Sequence, residues 1–168
     1  MKKLFFGLFI IGLTTQIYAQ ITKTEHLSEV VVVAVNYKYL NQVDNVEAPV
    51  PVELLQKKVA NFDLKNSEFY QDDYDYYSIW FFIPEGKILA AYDKDGNIIR
   101  TIERYKDIAL PKSVAGAIAN RFPGWTVSKD LYLINYYDSK GASKKFKLTL
   151  ENGDQKIKVK MDADGNFL

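Results

Sequence analysis

Apolar positions recur along this chain with two different periods, and the switches between them mark its elements. Residues 27–35, Leu-Ser-Glu-Val-Val-Val-Val-Ala-Val, are strongly β-prone. The run then alternates, Tyr37 and Tyr39 against Lys38 and Leu40, so the pattern predicts a strand over 29–40. A polar connector covers 41–50. Pro51 then opens a helix, where its fixed φ and missing N–H do no harm. Val52, Leu55, Val59 and Phe62 fall at spacings of three, four and three, which gives one apolar stripe.

An acidic loop spans 63–75. Period two follows: Tyr-Tyr-Ser-Ile-Trp-Phe-Phe-Ile at 76–83 reads as a strand, and Pro84-Glu85-Gly86 turns it. Residues 87–92 return, Asp95-Gly96 turns again, and 97–105 is a third strand. Asp-Gly between apolar runs signals a hairpin because glycine reaches positive φ without a steric cost. The order then repeats. Pro111 starts a helix whose face is Val114, Ile118 and Phe122, and Pro123-Gly124 ends it. Trp125 begins an extended segment, 131–137 is a strand, 139–143 a turn, and 144–150 with 155–161 a hairpin.

Two motifs tie these halves together. Asp93-Lys94-Asp95-Gly96-Asn97 returns 69 residues later as Asp162-Ala163-Asp164-Gly165-Asn166, while the helix-opening prolines are 60 apart. The expected organisation is a tandem α+β unit, about 48–106 and 107–168, with two short helices packed on an antiparallel β-sheet and an extra N-terminal strand.

Composition narrows the class. Lys2 and Lys3 before the apolar residues 4–13 resemble a secretory signal, with cleavage after Ala19. The run is too short for an ordinary transmembrane helix. The expected layout is a signal over 1–19, a leader and strand over 20–47, and the paired units beyond. The expected location is the periplasm or the exterior, without stable membrane insertion. No cysteine is present, which excludes a lipid anchor and a disulfide staple alike. Cleavage leaves 20 basic and 21 acidic residues, a balance that argues against nucleic acid.

A family enters at the second unit. Leu110-Pro111 opening a short helix, Arg121-Phe122-Pro123-Gly124 closing it, Glu151-Asn152-Gly153 at a turn and Asp162-x-Asp164-Gly165 near the end resemble the PepSY-like domain proteins. These are small exported bacterial proteins likened to β-lactamase-inhibitor protein. The resemblance covers about 48–168. It implies helices on one face of an antiparallel sheet and a partner protein on the open face. It carries over no functional residue, because the matching positions are turns and core. Residues 27–34 are similar to the segment preceding the plug in TonB-dependent receptors, but no barrel follows.

Candidate chemistry is sparse. The single histidine, His26, sits in the leader, and no thiol exists, so nucleophilic catalysis and zinc are poorly served. The Asp-x-Asp-Gly turns are not EF-hands: Ile102 stands at the twelfth position of the first loop. Asp and Asn capping tight turns explain every residue there. No cofactor is expected.

Two surfaces remain. In the last hairpin, a turn at Asn152-Gly153 sets Leu148 opposite Ile157 and Lys147 opposite Lys158. Phe146, Leu148, Leu150 and Met161 then face the helices, while Lys145, Lys147, Lys156, Lys158 and Lys160 share the other side. These lysines either keep an exposed sheet soluble or offer a basic platform to an acidic partner. The second surface is the loop of Tyr70, Asp72, Asp73, Tyr74, Asp75 and Tyr77, since tyrosine is enriched at protein contacts. Residues 44–75 carry net −5 and residues 139–161 net +5, so salt-sensitive self-association between copies is a third use. The sequence thus points to a non-enzymatic module that binds a protein or peptide. The second reading is a ligand-binding or transport accessory, metal-sensitive through its Asp-x-Asp-Gly turns.

Overall fold

The computed structural model of the protein describes residues 36–44 and 47–168. Three helices and six strands follow in the order α1 (Tyr37–Val43), α2 (Val50–Ala60), β1 (Tyr76–Ile83), β2 (Gly86–Asp93), β3 (Ile98–Tyr105), α3 (Lys112–Arg121), β4 (Thr126–Tyr137), β5 (Gly141–Asn152) and β6 (Gln155–Asp162). The strands form one antiparallel meander, β1 to β6 in sequence order. A mixed α+β chain with an antiparallel sheet is therefore what forms.

The expected strand over 29–40 is overturned at its C-terminal end. Residues 37–43 are helical, and residues 29–35 lie outside the described part, as does the signal-like segment. The alternation of Tyr37 with Tyr39 misled: Tyr37 is 58% exposed, whereas Tyr39 and Val43 are both buried. Four residues apart, those two share one face of a helix. Among the described residues three helices thus stand where two were expected, and residues 41–43 of the expected connector belong to the first.

All three helices lie over one face of the sheet. α2 covers β1 and β2, and α1 covers β4 and β5. The Tyr39 ring meets Tyr136 edge-on at 5.3 Å, and the Tyr92 hydroxyl donates to the Val59 carbonyl at 2.9 Å. α3 buries Val114 and Ile118, and its Ser113 hydroxyl donates to the Ala163 carbonyl beside the terminal turn at 3.1 Å. Alternation puts Phe81, Ile88, Tyr105, Ile134, Phe146 and Leu148 on this covered face, in one hydrophobic cluster with the helices. Tyr132 stacks on Phe146 across the β4–β5 pair, centroids 4.2 Å apart.

Two turns differ in detail from expectation. β5 and β6 pair Asn152 with Gln155, so the turn residues are Gly153 and Asp154. Leu148 then faces Val159, and Lys147 faces Lys160 rather than Lys158. The slip is two residues, an even number, so every side chain keeps its expected face. The β4–β5 loop holds residues 138–140, because Tyr137 pairs with Gly141. This register places Leu133 and Tyr137 on the lysine side and Tyr132 and Tyr136 in the core.

Candidate functional site

The face away from the helices is uncovered among the described residues. It begins with β1, whose Tyr76, Trp80 and Phe82 are 69%, 46% and 64% exposed. Trp80 and Phe82 are near-parallel, their centroids 5.8 Å apart, and the Lys87 ammonium lies 4.9 Å from the Trp80 ring. Such an ammonium over an aromatic face is held by the ring quadrupole. Across the sheet, register aligns Phe82, Lys87, Arg104, Leu133 and Lys145 in one row. A second row runs Trp80, Leu89, Ile102 and Asn135. Arg100 lies 5.0 Å from the Tyr137 ring.

The far side is cationic. Lys145, Lys147, Lys156, Lys158 and Lys160 are all exposed, on the one face assigned to them from sequence. Lys156 pairs with Glu151 at 2.8 Å, and Lys145 stands opposite Asp162. Lys147 and Lys160 oppose each other, and Lys158 opposes Thr149. Lys144, one position away, points to the covered side. Burial lowers its affinity for a proton, and its ammonium donates to the Asp44 carbonyl at 2.7 Å.

The acidic–aromatic loop does not join the lysines. It precedes β1, at the opposite edge of the sheet from β6. Tyr77 is a correction: it is buried, and its hydroxyl bonds the Gln71 carbonyl. Tyr70, half-buried, stacks on Tyr77 at 5.6 Å, and Tyr74 meets Tyr77 edge-on at 6.2 Å. Partial desolvation and the neighbouring Asp72 push the Tyr70 hydroxyl up. The tyrosines are therefore spent largely on one another, while Asp72, Asp73, Tyr74 and Asp75 stay exposed.

The two Asp-x-Asp-Gly-Asn turns have one geometry. Asp93 accepts the Asp95 and Asn97 backbone N–H groups on Oδ1 and the Asn97 side-chain amide on Oδ2, at 2.8–3.0 Å. Asp162 does the same with Asp164 and Asn166. These bonds hold the Asp162 carboxyl below the usual carboxylate range. In each turn both oxygens of the leading aspartate are engaged by the turn itself.

One charged group escaped the sequence reading. Glu103 is fully buried and accepts four hydrogen bonds: from the Tyr39 hydroxyl at 2.8 Å, and from Thr101, Tyr105 and the Gln56 amide at 2.9 Å each. Burial raises its pKa, and the four donors oppose that rise. The signal was available: Thr101, Glu103 and Tyr105 alternate with Arg100, Ile102 and Arg104, and two arginines belong in water. A buried acid is a candidate functional group, yet this one is sealed between α1, α2 and β3 and touches no solvent. It joins the helices to the sheet. No protein-family model, no curated protein and no solved structure matches the chain.

Proposed function

We propose that this chain is an exported, non-enzymatic binding module that holds a protein or peptide on its uncovered sheet face. The observation that carries the reading is the composition of that face. Exposed Tyr76, Trp80 and Phe82 lie at one end, exposed Lys145, Lys147, Lys158 and Lys160 at the other, and Arg100 and Arg104 between. Large aromatics and arginine are the residues that dominate protein contacts energetically. A partner suited to it offers acidic side chains toward β5–β6 and an apolar anchor for the β1 aromatics.

The tandem arrangement belongs to the same proposal. The shared geometry of the Asp93 and Asp162 turns supports it. The first turn joins β2 to β3 and the second follows β6, so the second unit carries an extra strand before its motif. The PepSY-like resemblance has the same sense, a sheet with one side free for a partner.

The test compares three immobilised chains: the unaltered one, Trp80→Ser with Phe82→Ser, and Lys147→Glu with Lys158→Glu and Lys160→Glu. All altered positions are solvent-facing, so circular dichroism should match across the set. A protein from an envelope extract held by the first and lost by both others supports the proposal. Equal retention by all three overturns it and moves attention to Asp72, Asp73, Tyr74 and Asp75.

A further inference from the structure

The two edges of the sheet are built differently. β6 carries Lys156, Lys158 and Lys160, and its end is paired by the chain terminus: Met161 bridges Phe167, and the Leu168 N–H donates to the Lys160 carbonyl at 2.9 Å. Lysines and a covering segment are the usual defences of a sheet edge against pairing with another chain. β1 has neither. Its eight residues, Tyr-Tyr-Ser-Ile-Trp-Phe-Phe-Ile, contain no charge, no proline and no glycine. Among the described residues no further strand pairs with its outer side.

The free groups can be assigned. The two-residue turn Pro84-Glu85 closes on the pair Ile83 and Gly86. Antiparallel hydrogen bonding alternates from such a closing pair, so Ile83, Phe81, Ile79 and Tyr77 bond β2. The N–H and C=O groups of Tyr76, Ser78, Trp80 and Phe82 therefore point away from the sheet. A cleft between Phe69 and residues 77–80 runs along this side, and Phe69 is 54% exposed.

We propose that β1 pairs edge to edge with β1 of a second copy, antiparallel about a two-fold axis at Ile79, joining two sheets into one. The occupant is a second copy because the strand is complementary to itself. With Ile79 facing Ile79, the free-group residues oppose one another in four pairs. Tyr76 meets Phe82 of the second copy, and Ser78 meets Trp80. Each large ring on the open face finds either another ring or the smallest side chain of the strand, and no charge is brought against a like charge. Shifting by one residue would set these free groups against residues whose groups are spent on β2.

The exposed area sets the strength. Tyr76, Trp80, Phe82 and Phe69 are each about half to two-thirds exposed, and aromatic side chains of this size bury about 150–250 Å² in full. Together they offer about 400 Å² of ring surface per copy, below the ~800 Å² per partner of a standard stable interface. The dimer is accordingly a weak one, populated as concentration rises. It places both open faces on the same side, so the two cationic ends lie at the far margins of one continuous platform. The contact shares the Tyr76, Trp80 and Phe82 rings with the proposed partner surface, and sedimentation of the chain alone reads it with no partner present.

The chain from Gln20 onward, which holds every described residue, is followed by sedimentation from low to several hundred micromolar, with Phe82→Lys beside it. The chain has no cysteine, so Ile79→Cys and Ser78→Cys each introduce a single thiol. Across the axis, the two 79 positions form a non-hydrogen-bonded pair with Cα atoms about 4.5 Å apart, within disulfide range. The two 78 positions lie diagonally, at about 7–8 Å. The expected results are a dimer that salt does not weaken, at least about a tenfold loss of affinity in Phe82→Lys, and a covalent dimer from Ile79→Cys well in excess of Ser78→Cys. A chain that stays monomeric throughout overturns the proposal, as does equal cross-linking at the two positions. A dimer that survives Phe82→Lys but dissolves in high salt also overturns it, assigning the contact to the acidic loop and the lysine face.

Discussion

The Tyr39 hydroxyl on α1 lies 2.8 Å from Oε1 of Glu103 on β3, a buried contact between residues 64 apart in the chain. With the Gln56 amide from α2 it makes one carboxylate the common acceptor of two helices and the sheet. Removing a donor from a buried charged acceptor costs about 1.5–3 kcal/mol. Tyr39→Phe should lose that much in urea unfolding, with an unchanged dependence on denaturant. Tyr37→Phe, two residues away and 58% exposed, should unfold like the unaltered chain.

The same carboxyl gives stability a pH dependence. Burial raises the Glu103 pKa in the folded chain above its value in the unfolded chain. The folded state therefore holds the proton to higher pH. Its contribution is fully present below the unfolded glutamate value, about 4.3, and is lost as pH rises through the raised folded value. Glu103→Gln stays neutral throughout, and the hydroxyls of Tyr39 and Thr101 can turn to accept from its amide. The stability of Glu103→Gln relative to the unaltered chain should rise from pH 4 upward and then level. Paired urea titrations at four or five pH values read this directly, and a relative stability of Glu103→Gln that falls with rising pH would reverse the sign.

Much of this architecture is legible in the sequence, for a physical reason. The strands lie between turns that glycine, proline and aspartate announce, β5 and β6 alternate apolar residues with lysines, and an alternating hairpin keeps its faces even when its register slips by two. Hence the lysines of β5 and β6 fall on the expected side although Lys147 faces Lys160. What the sequence hides is α1. Seven residues give too few turns for a helical period to stand out, and its stability comes from Tyr39 and Val43 packing and from the buried Asn36, whose amide bonds the Ala60 and Gly96 carbonyls at 3.2 Å. The burial of Glu103 is legible in the alternation along β3, but its partners are not, because they come from three separate segments. Tyr77 is a candidate contact residue by its type and its cluster with other tyrosines and acids, yet its place in the strand turns it inward.

Gly165 sits where α3 meets the terminal turn. Its φ is +90°, and a Cβ there would lie 2.7 Å from the Ser113 carbonyl oxygen. Gly153, at φ +57°, has open space around it. A left-handed backbone costs an ordinary residue about 1–2 kcal/mol, so Gly153→Ala should show that cost alone. Gly165→Ala adds a backbone clash and should melt lower than Gly153→Ala, with α3 detaching first in hydrogen exchange.

The Asp162 turn should respond to acid and not to calcium. Its carboxyl is held below the usual range by the Asn166 side chain and by backbone N–H groups. A depressed value adds stability that is present above the unfolded aspartate value, about 3.9, and is lost as pH falls through the folded one. Asp162→Asn sets two side-chain amides against each other at Asn166. It should melt below the unaltered chain at pH 7, with the gap closing toward pH 3. Both oxygens are already used, so millimolar calcium and a chelator should give superimposable melts. A calcium-dependent rise would restore the metal-sensitive reading.

Lys147 and Lys160 offer a way to separate folding from binding. They stand directly opposite each other on β5 and β6, both exposed. Like charges at such a position oppose the pairing, and an opposite pair contributes roughly 0.2–1 kcal/mol relative to alanines. Lys160→Glu should therefore leave the melting temperature unchanged or slightly higher, more so at low salt. If the lysines serve only to keep the face soluble, that variant should keep every partner the unaltered chain holds. If they recognise acidic groups, the better-folded variant should bind less, which a general loss of structure cannot imitate. Repeating the measurement with Lys160→Glu and Lys147→Glu together restores like-charge opposition while inverting the face. Binding should then fall further and stability return toward that of the unaltered chain, so the two properties move independently across the three proteins.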